Sequence, residues 1–245
     1  MDEDGYFGEG VAATYDDDSG GEFDPCVVGE TADLLAGLAG PGGRALEFAI
    51  GTGRVALPLA EHGVRVSGID LSRAMVARLR AKPGGDRIDV TIGDFSSTRV
   101  EGVFDLVYLV FNTIMNLTSQ SAQVACFRNA ATHLRPGGRF VIETMQPDLR
   151  RLPPGQNLVP FRDGPEVWAF DRYDAATQQM SSNYLSREAF RSIPFRYVWP
   201  AELDLMAQLA GMEPEDRWES WSREPFTHES TRHVSTWRRS RRLAG

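Results

Sequence analysis

Three acidic residues and a pair of glycines carry the most chemistry in this chain. In Glu47-Phe-Ala-Ile-Gly51-Thr-Gly53-Arg54, two glycines follow a run that is apolar apart from Glu47. Glycines directly after a buried strand leave backbone amides bare at a helix N-terminus, where a ligand's polar groups can approach. Asp70, at the end of the next apolar run, is positioned to accept both hydroxyls of a ribose. Asp94, in Gly93-Asp94-Phe95, can accept the exocyclic amine of an adenine while Phe95 stacks beside the ring. Glu47 precedes the turn at a point where a pyrophosphate binder keeps an apolar residue, and a buried carboxylate there needs a cation such as a ligand ammonium. Each acid also has a plainer reading, Asp94 as a turn residue or helix cap and Glu47 as an ion-pair partner. Gly51-Thr-Gly53-Arg-Val-Ala56 satisfies the dinucleotide pattern G-x-G-x-x-A as well, so NAD(P)-dependent hydride transfer stays open as a second chemistry.

Those residues need a frame that gathers strand ends. From Arg44 to Glu143 short apolar runs alternate with helical periods, the pattern of a parallel sheet covered on both faces by crossover helices. Strands are predicted over 45–49, 64–69, 89–92, 104–111 and 139–143. Helices are predicted after Gly53, from a Ser72 cap through Met75 and Leu79, and over 119–134 before the Arg135-Pro-Gly-Gly138 stop. Beyond Glu143, residues 147–165 read as a surface connection, and 167–173 with 178–185 as a β-hairpin whose Trp168, Phe170 and Arg172 share one face. A strand over 195–199, a helix from Pro200 to Gly211, and an antiparallel pair over 217–221 and 233–238 complete the chain. The predicted fold class is α/β, a Rossmann-like, mainly parallel seven-stranded sheet with an antiparallel edge strand and a small β-hairpin insertion. Residues 1–245 read as a single domain, with 147–199 as a lid on the substrate side.

Composition narrows the partners. Lys and Arg total 26 against 34 for Asp and Glu, a formal net charge of -8 that repels a phosphate backbone, so nucleic acid is not an expected partner. No apolar run approaches the roughly 18 residues a membrane helix needs. The acidic Asp2-Glu3-Asp4 has the wrong charge for a leader, so a cytoplasmic protein without membrane association is expected. Cys26 and Cys126 are too few for a disulfide framework or a zinc cluster and are expected to be buried. No Asp-Asp-Asn cluster suits a metal-dependent catechol-type reaction, so no metal is expected. His62 and His133 fall at helix ends, and His228 and His233 read as surface residues.

Over about residues 44–143 the chain resembles the class I S-adenosylmethionine-dependent methyltransferases that act on small molecules. Their glycine-rich motif D/E-x-G-x-G-x-G is matched by Glu47-Phe-Ala49-Ile-Gly51-Thr-Gly53, with Ala49 where the first glycine is common. The ribose acid is matched by Asp70 in Gly68-Ile-Asp-Leu71-Ser72 and the adenine acid by Asp94, while Phe104-Asp-Leu-Val107 resembles the fourth strand. The resemblance implies S-adenosylmethionine as cofactor, S-adenosyl-L-homocysteine as its product, and cofactor contacts from Leu71, Met75, Phe95 and Phe111. Tyr15-Asp16 resembles a Tyr-Asp element that covers the cofactor, with aromatic packing as the alternative for Tyr15. The insertion resembles that of amino-sugar N-methyltransferases, which implies a small-molecule acceptor and a homodimer.

Methyl transfer from a sulfonium is an in-line displacement, so positioning and water exclusion dominate its catalysis. The acceptor pocket is expected above the carboxyl ends of the first and fourth strands, bounded by Phe111, Asn112 and Met115. The insertion would roof it, with Trp168, Tyr184, Arg196 and Tyr197 touching the acceptor; packing or a dimer interface explains those aromatics equally well. Asn112 is expected beside the reacting methyl, and Glu143 is the candidate for orienting or deprotonating the acceptor, with an ion-paired structural acid as its alternative. The acceptor group is an amine or a hydroxyl. A methyltransferase-like fold that binds a partner without catalysis is the third reading.

Overall fold

The structure, a computed structural model, describes residues 6–17, 21–187 and 189–240, without the side chain of Glu22. Its elements begin with α1 (Glu9–Ala12), α2 (Pro25–Ala39), β1 (Arg44–Phe48), α3 (Ala56–Glu61), β2 (Arg65–Asp70) and α4 (Arg73–Ala81). They continue with β3 (Asp89–Ile92), β4 (Phe104–Leu109), α5 (Gln120–His133) and β5 (Leu134–Met145). Next come β6 (Leu158–Asp163), β7 (Val167–Asp174), β8 (Gln179–Ser186) and β9 (Phe190–Arg196), then α6 (Pro200–Leu209), β10 (Met212–Trp218) and β11 (Arg232–Arg239). Side chains fix the helix starts: Asp24 accepts from the Cys26 amide ahead of α2, Ser72 from Met75 ahead of α4, and Ser119 from Ala122 ahead of α5.

Seven strands form the main sheet in the order β10-β11-β5-β4-β1-β2-β3. β1 runs parallel to β2 and β4, β2 to β3, and β4 to β5, whereas β11 is antiparallel to both β5 and β10. This is the α/β sheet expected from the sequence. β1 and β4 are buried along nearly their whole length because helices cover both faces. On one face Phe127 of α5 meets Phe140 and Trp237 edge-on at ring distances of 5.1 and 5.3 Å. On the other, Leu34, Leu35 and Leu59 pack with Leu106 and Tyr108. Chain order reverses at β1, which opens a crevice at the carboxyl ends of β1 and β4.

A second, antiparallel sheet has the order β6-β7-β8-β9. The predicted hairpin is its centre, β7 and β8, but two further strands flank it. β6 occupies part of the stretch read as a surface connection, and β9 lies earlier than the predicted 195–199 strand. The two were hard to read for one reason: each is an edge strand that contains a proline, Pro160 or Pro194, and β6 buries only Val159. Across the sheet the register aligns Tyr173–Met180–Phe195, Asp171–Ser182–Ile193 and Ala169–Tyr184–Arg191 as three rows on one face. The opposite face carries Trp168–Leu185–Phe190, all exposed.

Two single-residue expectations change. Cys26 is exposed in the first turn of α2, where the amphipathic pattern leaves it on the solvent side, while Cys126 is buried as expected. His233 is wholly buried, because β11 lies inside the sheet and not at its margin. Burial, aided by the charge of Arg217, lowers its pKa to about 3 and keeps the ring neutral. Among the described residues no helix is long and apolar enough to cross a membrane.

Candidate active site

The turn after β1 is built from left-handed residues. Ala49, Gly51 and Gly53 have φ of 56, 55 and 78°. At Gly53 a Cβ would lie 2.3 Å from Leu79 Cδ1 of α4, so with its left-handed φ the position favours glycine on both counts. Ala49 adopts the conformation that the more usual glycine would, at a cost of about 1 kcal/mol. Asp70, at the end of β2, reaches across: one carboxylate oxygen accepts the Gly51 amide at 2.6 Å and the other the Ser72 amide at 2.8 Å. Asp94, exposed after β3, accepts the Ser96 amide at 2.7 Å and so shapes its own turn. Glu47 is 2% exposed and accepts the Tyr108 hydroxyl at 2.8 Å from the neighbouring strand. Burial raises its pKa to about 8, against the Tyr108 hydrogen bond and the charge of Arg54 and with a push from Asp70.

Two adjoining cavities lie at these strand ends. One, of about 400 Å³, is lined by Ala49 and Gly51 of the turn, by Asp70, Leu71 and Met75 after β2, and by Asp94 and Phe95 after β3. Tyr15 completes the set of predicted cofactor residues there. Glu47 and Gly53 lie behind the turn and line neither cavity. The other cavity, of about 380 Å³, brings together Phe111, Asn112, Met115 and Tyr184. It also contains Asp171, Ser182 and Arg191, from the inward rows of the small sheet, which the sequence did not single out. Tyr6, Phe7, Tyr15, Thr113, Asn116 and Ile193 line both, so this is where the two meet.

The N-terminal segment covers the first cavity and is tied down at two points. Ser72 Oγ donates to the Phe7 carbonyl at 2.6 Å, and Asp16 accepts from Thr52 Oγ1 at 2.6 Å while pairing with Lys82 Nζ at 2.7 Å. Tyr6, Phe7, Tyr15 and Phe23 run edge-to-face along it. Tyr6 and Phe7 escaped the sequence reading, although two adjacent aromatics just ahead of Tyr15 were the signal available. The Tyr6 hydroxyl is shielded from solvent and has no hydrogen-bond partner among the described residues.

After β4 the chain turns through two consecutive left-handed residues, Phe111 (φ 55°) and Asn112 (φ 59°). Such strain persists only where neighbours fix it. The Phe111 amide donates to Glu143 Oε2 at 3.0 Å, the Asn112 amide to the Glu143 carbonyl at 3.2 Å, and the Met145 amide to Asn112 Oδ1 at 2.6 Å. Glu143 Oε1 meanwhile accepts Trp221 Nε1 at 3.0 Å. Glu143 therefore braces the turn with both oxygens and lines neither cavity, which corrects its reading as the group that meets the acceptor. Three more predicted contacts fall outside. Trp168 lies on the outer face because strand alternation sends Asp171, not Trp168, inward. Arg196 is held in a buried polar cluster, and Tyr197 packs in the core against Tyr173.

At the glycine turn Asp16 is paired with Lys82, Asp70 supplies a carboxylate at the Gly51 amide, and Glu47 behind it can gain a charge when a cation arrives. A pyrophosphate would meet repulsion here, whereas an ammonium or sulfonium would not. The glycine turn, Asp70 and Asp94 lie in one cleft with a second cavity beside it, an arrangement with room for an adenosine-bearing donor and an acceptor. A family model described as a methyltransferase domain matches residues 45–138. Over 233 residues the chain is 30% identical to the cypemycin N-terminal methyltransferase of a Streptomyces species, covering 84% of this chain and 95% of that protein. Its structure is similar to that of the CcbJ methyltransferase from Streptomyces caelestis, with a TM-score of 0.82 and 34% identity over 96% of this chain and 98% of the other. It shares its fold with CalS10, an amino pentose methyltransferase from Micromonospora echinaspora, at a TM-score of 0.64 and 21% identity over 94% and 95% of the two chains. The chain belongs to the S-adenosylmethionine-dependent methyltransferases.

Proposed function

We propose that this enzyme methylates an amine of a small molecule or short peptide held in the second cavity. The observation that carries this reading is the adjoining pair of cavities: a donor cleft lined by Asp70 and Asp94 at its strand ends meets a second space roofed by the small sheet. Among the described residues no histidine lines that second space, and its lining carboxylate is Asp171. A carboxylate attracts an amine, which is a cation at neutral pH, and offers a neutral hydroxyl no such attraction, so the inventory suits nitrogen. The name of the cypemycin N-terminal methyltransferase points the same way. When bound, S-adenosylmethionine supplies a methyl group already activated by a sulfonium. Asp70 takes the ribose hydroxyls, Asp94 and Phe95 take the adenine, and Glu47 faces the ammonium end across the turn. Tyr15, with Tyr6 and Phe7, closes the cleft against water, and Asn112 and Met115 shape the acceptor side near the mouth.

Two measurements test this assignment. By calorimetry S-adenosylhomocysteine binds at micromolar concentration and NAD(H) and NADP(H) do not; saturable nicotinamide-cofactor binding in that range would reject it. Glu47 makes the second. With a pKa of about 8 it carries a proton in the empty protein at neutral pH. An arriving ammonium favours the charged carboxylate and lowers that pKa, so binding releases up to one proton. The heat of S-adenosylhomocysteine binding at pH 7 accordingly differs between phosphate and Tris buffers, and equal heats would remove Glu47 from the site. The acceptor itself is found by screening amines beside matched alcohols for S-adenosylhomocysteine release.

A further inference from the structure

We propose that Asp171, braced by Ser182, is the carboxylate that binds the acceptor as an ammonium and takes its proton before methyl transfer. The inference rests on the methyl-to-amine reading above and adds the group that recognises the amine. Asp171 lies on the inward face of the small sheet and lines the second cavity but not the donor cleft. Ser182 Oγ, directly opposite on β8, donates to Asp171 Oδ1 at 2.6 Å, which fixes the carboxylate and leaves its other oxygen to a ligand. The same row continues to Ile193 on β9, which stands at the junction of the two cavities. Two strand spacings, about 10 Å between backbones, separate Asp171 from that junction, a gap that its side chain and one acceptor amine can span.

The surroundings favour a cation supplied from outside the chain. Asp171 is half-buried, and among the described residues no Lys, Arg or His forms an ion pair with it. The nearest guanidinium lining the same cavity, that of Arg191, is held over the rings of Tyr184 at 5.1 Å and Tyr6 at 5.9 Å. The other titratable groups acting on this region are Asp148, from the segment after β5, and Tyr173, on the same strand. Burial pushes the Asp171 carboxyl up to about 6, with the Ser182 hydrogen bond opposing and the Asp148 charge reinforcing. A carboxylate with that pKa is ionised at neutral pH and so attracts the ammonium; the proton transfer to it is uphill, and attack proceeds from the minor population in which Asp171 holds the proton and the amine is neutral. The step balances. The ammonium proton passes to Asp171, a nitrogen–carbon bond forms as the sulfur–carbon bond breaks, and the bonding pair stays on sulfur. The methylated amine leaves as a cation, and Asp171 returns its proton to water.

The test uses the intact protein saturated with S-adenosylhomocysteine, with benzylamine and its near-isosteric counterpart benzyl alcohol as probes whose ring suits the aromatic wall at Phe161 and Tyr184. Calorimetry on the wild type is expected to show preferential binding of benzylamine, a preference that fades as pH falls through about 6. Asp171→Asn is expected to bind benzylamine about tenfold more weakly, the usual worth of a charge-assisted hydrogen bond, with S-adenosylhomocysteine and benzyl alcohol affinities unchanged. Ser182→Ala, which only loosens the carboxylate, falls between the two and decides the matter should Asp171→Asn not fold. Absence of an amine preference in the wild type, or its survival in both variants, overturns the assignment. Failure of the wild type to bind S-adenosylhomocysteine would instead sink the methyl-transfer reading itself.

Discussion

Asp70→Ala is expected to weaken S-adenosylhomocysteine binding by about 1.5–3 kcal/mol, roughly tenfold to 150-fold, the range for hydrogen bonds to a charged group. Two effects add. The carboxylate would hold the ribose hydroxyls, and in the free protein it already holds the Gly51 and Ser72 amides, joining the glycine turn to the start of α4. Removing it therefore loosens the surface that receives the donor as well as the contact itself. Asp70→Asn separates the two, since its single acceptor oxygen can keep one of those amides but carries no charge. It should lose less affinity and less thermal stability than the alanine variant. Calorimetry with S-adenosylhomocysteine on both variants, with a melting curve of each free protein, reads the outcome. Unchanged affinity in both would reduce Asp70 to a brace for the turn.

The gathering of the acids at one end of the sheet was legible in the sequence because each lies in or directly after a strand close to its carboxyl end. Glu47 lies in β1, Asp70 ends β2, and Asp94 follows β3, so a local reading of strand and turn already brings them to one edge of a parallel sheet. The acceptor half depends on register between strands far apart in sequence. Alternation in β7 separates Trp168, Phe170 and Arg172 from Ala169, Asp171 and Tyr173, but which set faces inward is decided by how β6 to β9 sit on the rest of the chain. The aromatic set drew the reading toward itself, and the less conspicuous aspartate faced the cavity. Glu143 failed differently. Its position at the end of β5 was read correctly, but Trp221, from the link between β10 and β11, takes one oxygen and the Phe111 amide the other. Nothing near residue 143 in the sequence signals either partner.

Arg196→Met is expected to cost about 3–5 kcal/mol of folding stability while leaving S-adenosylhomocysteine affinity unchanged, because it breaks a buried ion pair outside both cavities. Arg196 is 5% exposed at the end of β9. Its guanidinium donates to Gln123 of α5 at 2.5 Å, to Gln178 of the β7–β8 turn at 3.1 Å and to Glu202 of α6 at 2.8 Å. Glu202 also accepts from Gln120 at 2.7 Å and Gln178 at 2.8 Å. The cluster thus pins the small sheet to two helices of the main body. Burial alone would raise the Glu202 carboxyl, but Arg196, Gln178 and Gln120 together hold it below the ordinary range. A depressed carboxyl contributes stability above its unfolded pKa and loses it as pH falls through the folded one. The deficit of Arg196→Met is therefore largest at neutral pH, where Glu202 is left charged and poorly matched, and narrows in acid as Glu202 takes up a proton. Urea unfolding at neutral and acid pH measures both, and Arg196→Met with Glu202→Leu should recover part of the loss by removing the stranded charge. A variant of wild-type stability that had lost acceptor binding would return Arg196 to the substrate pocket. The fully engaged guanidinium argues for the structural role, since the partners that hold it tie the small sheet to α5 and α6.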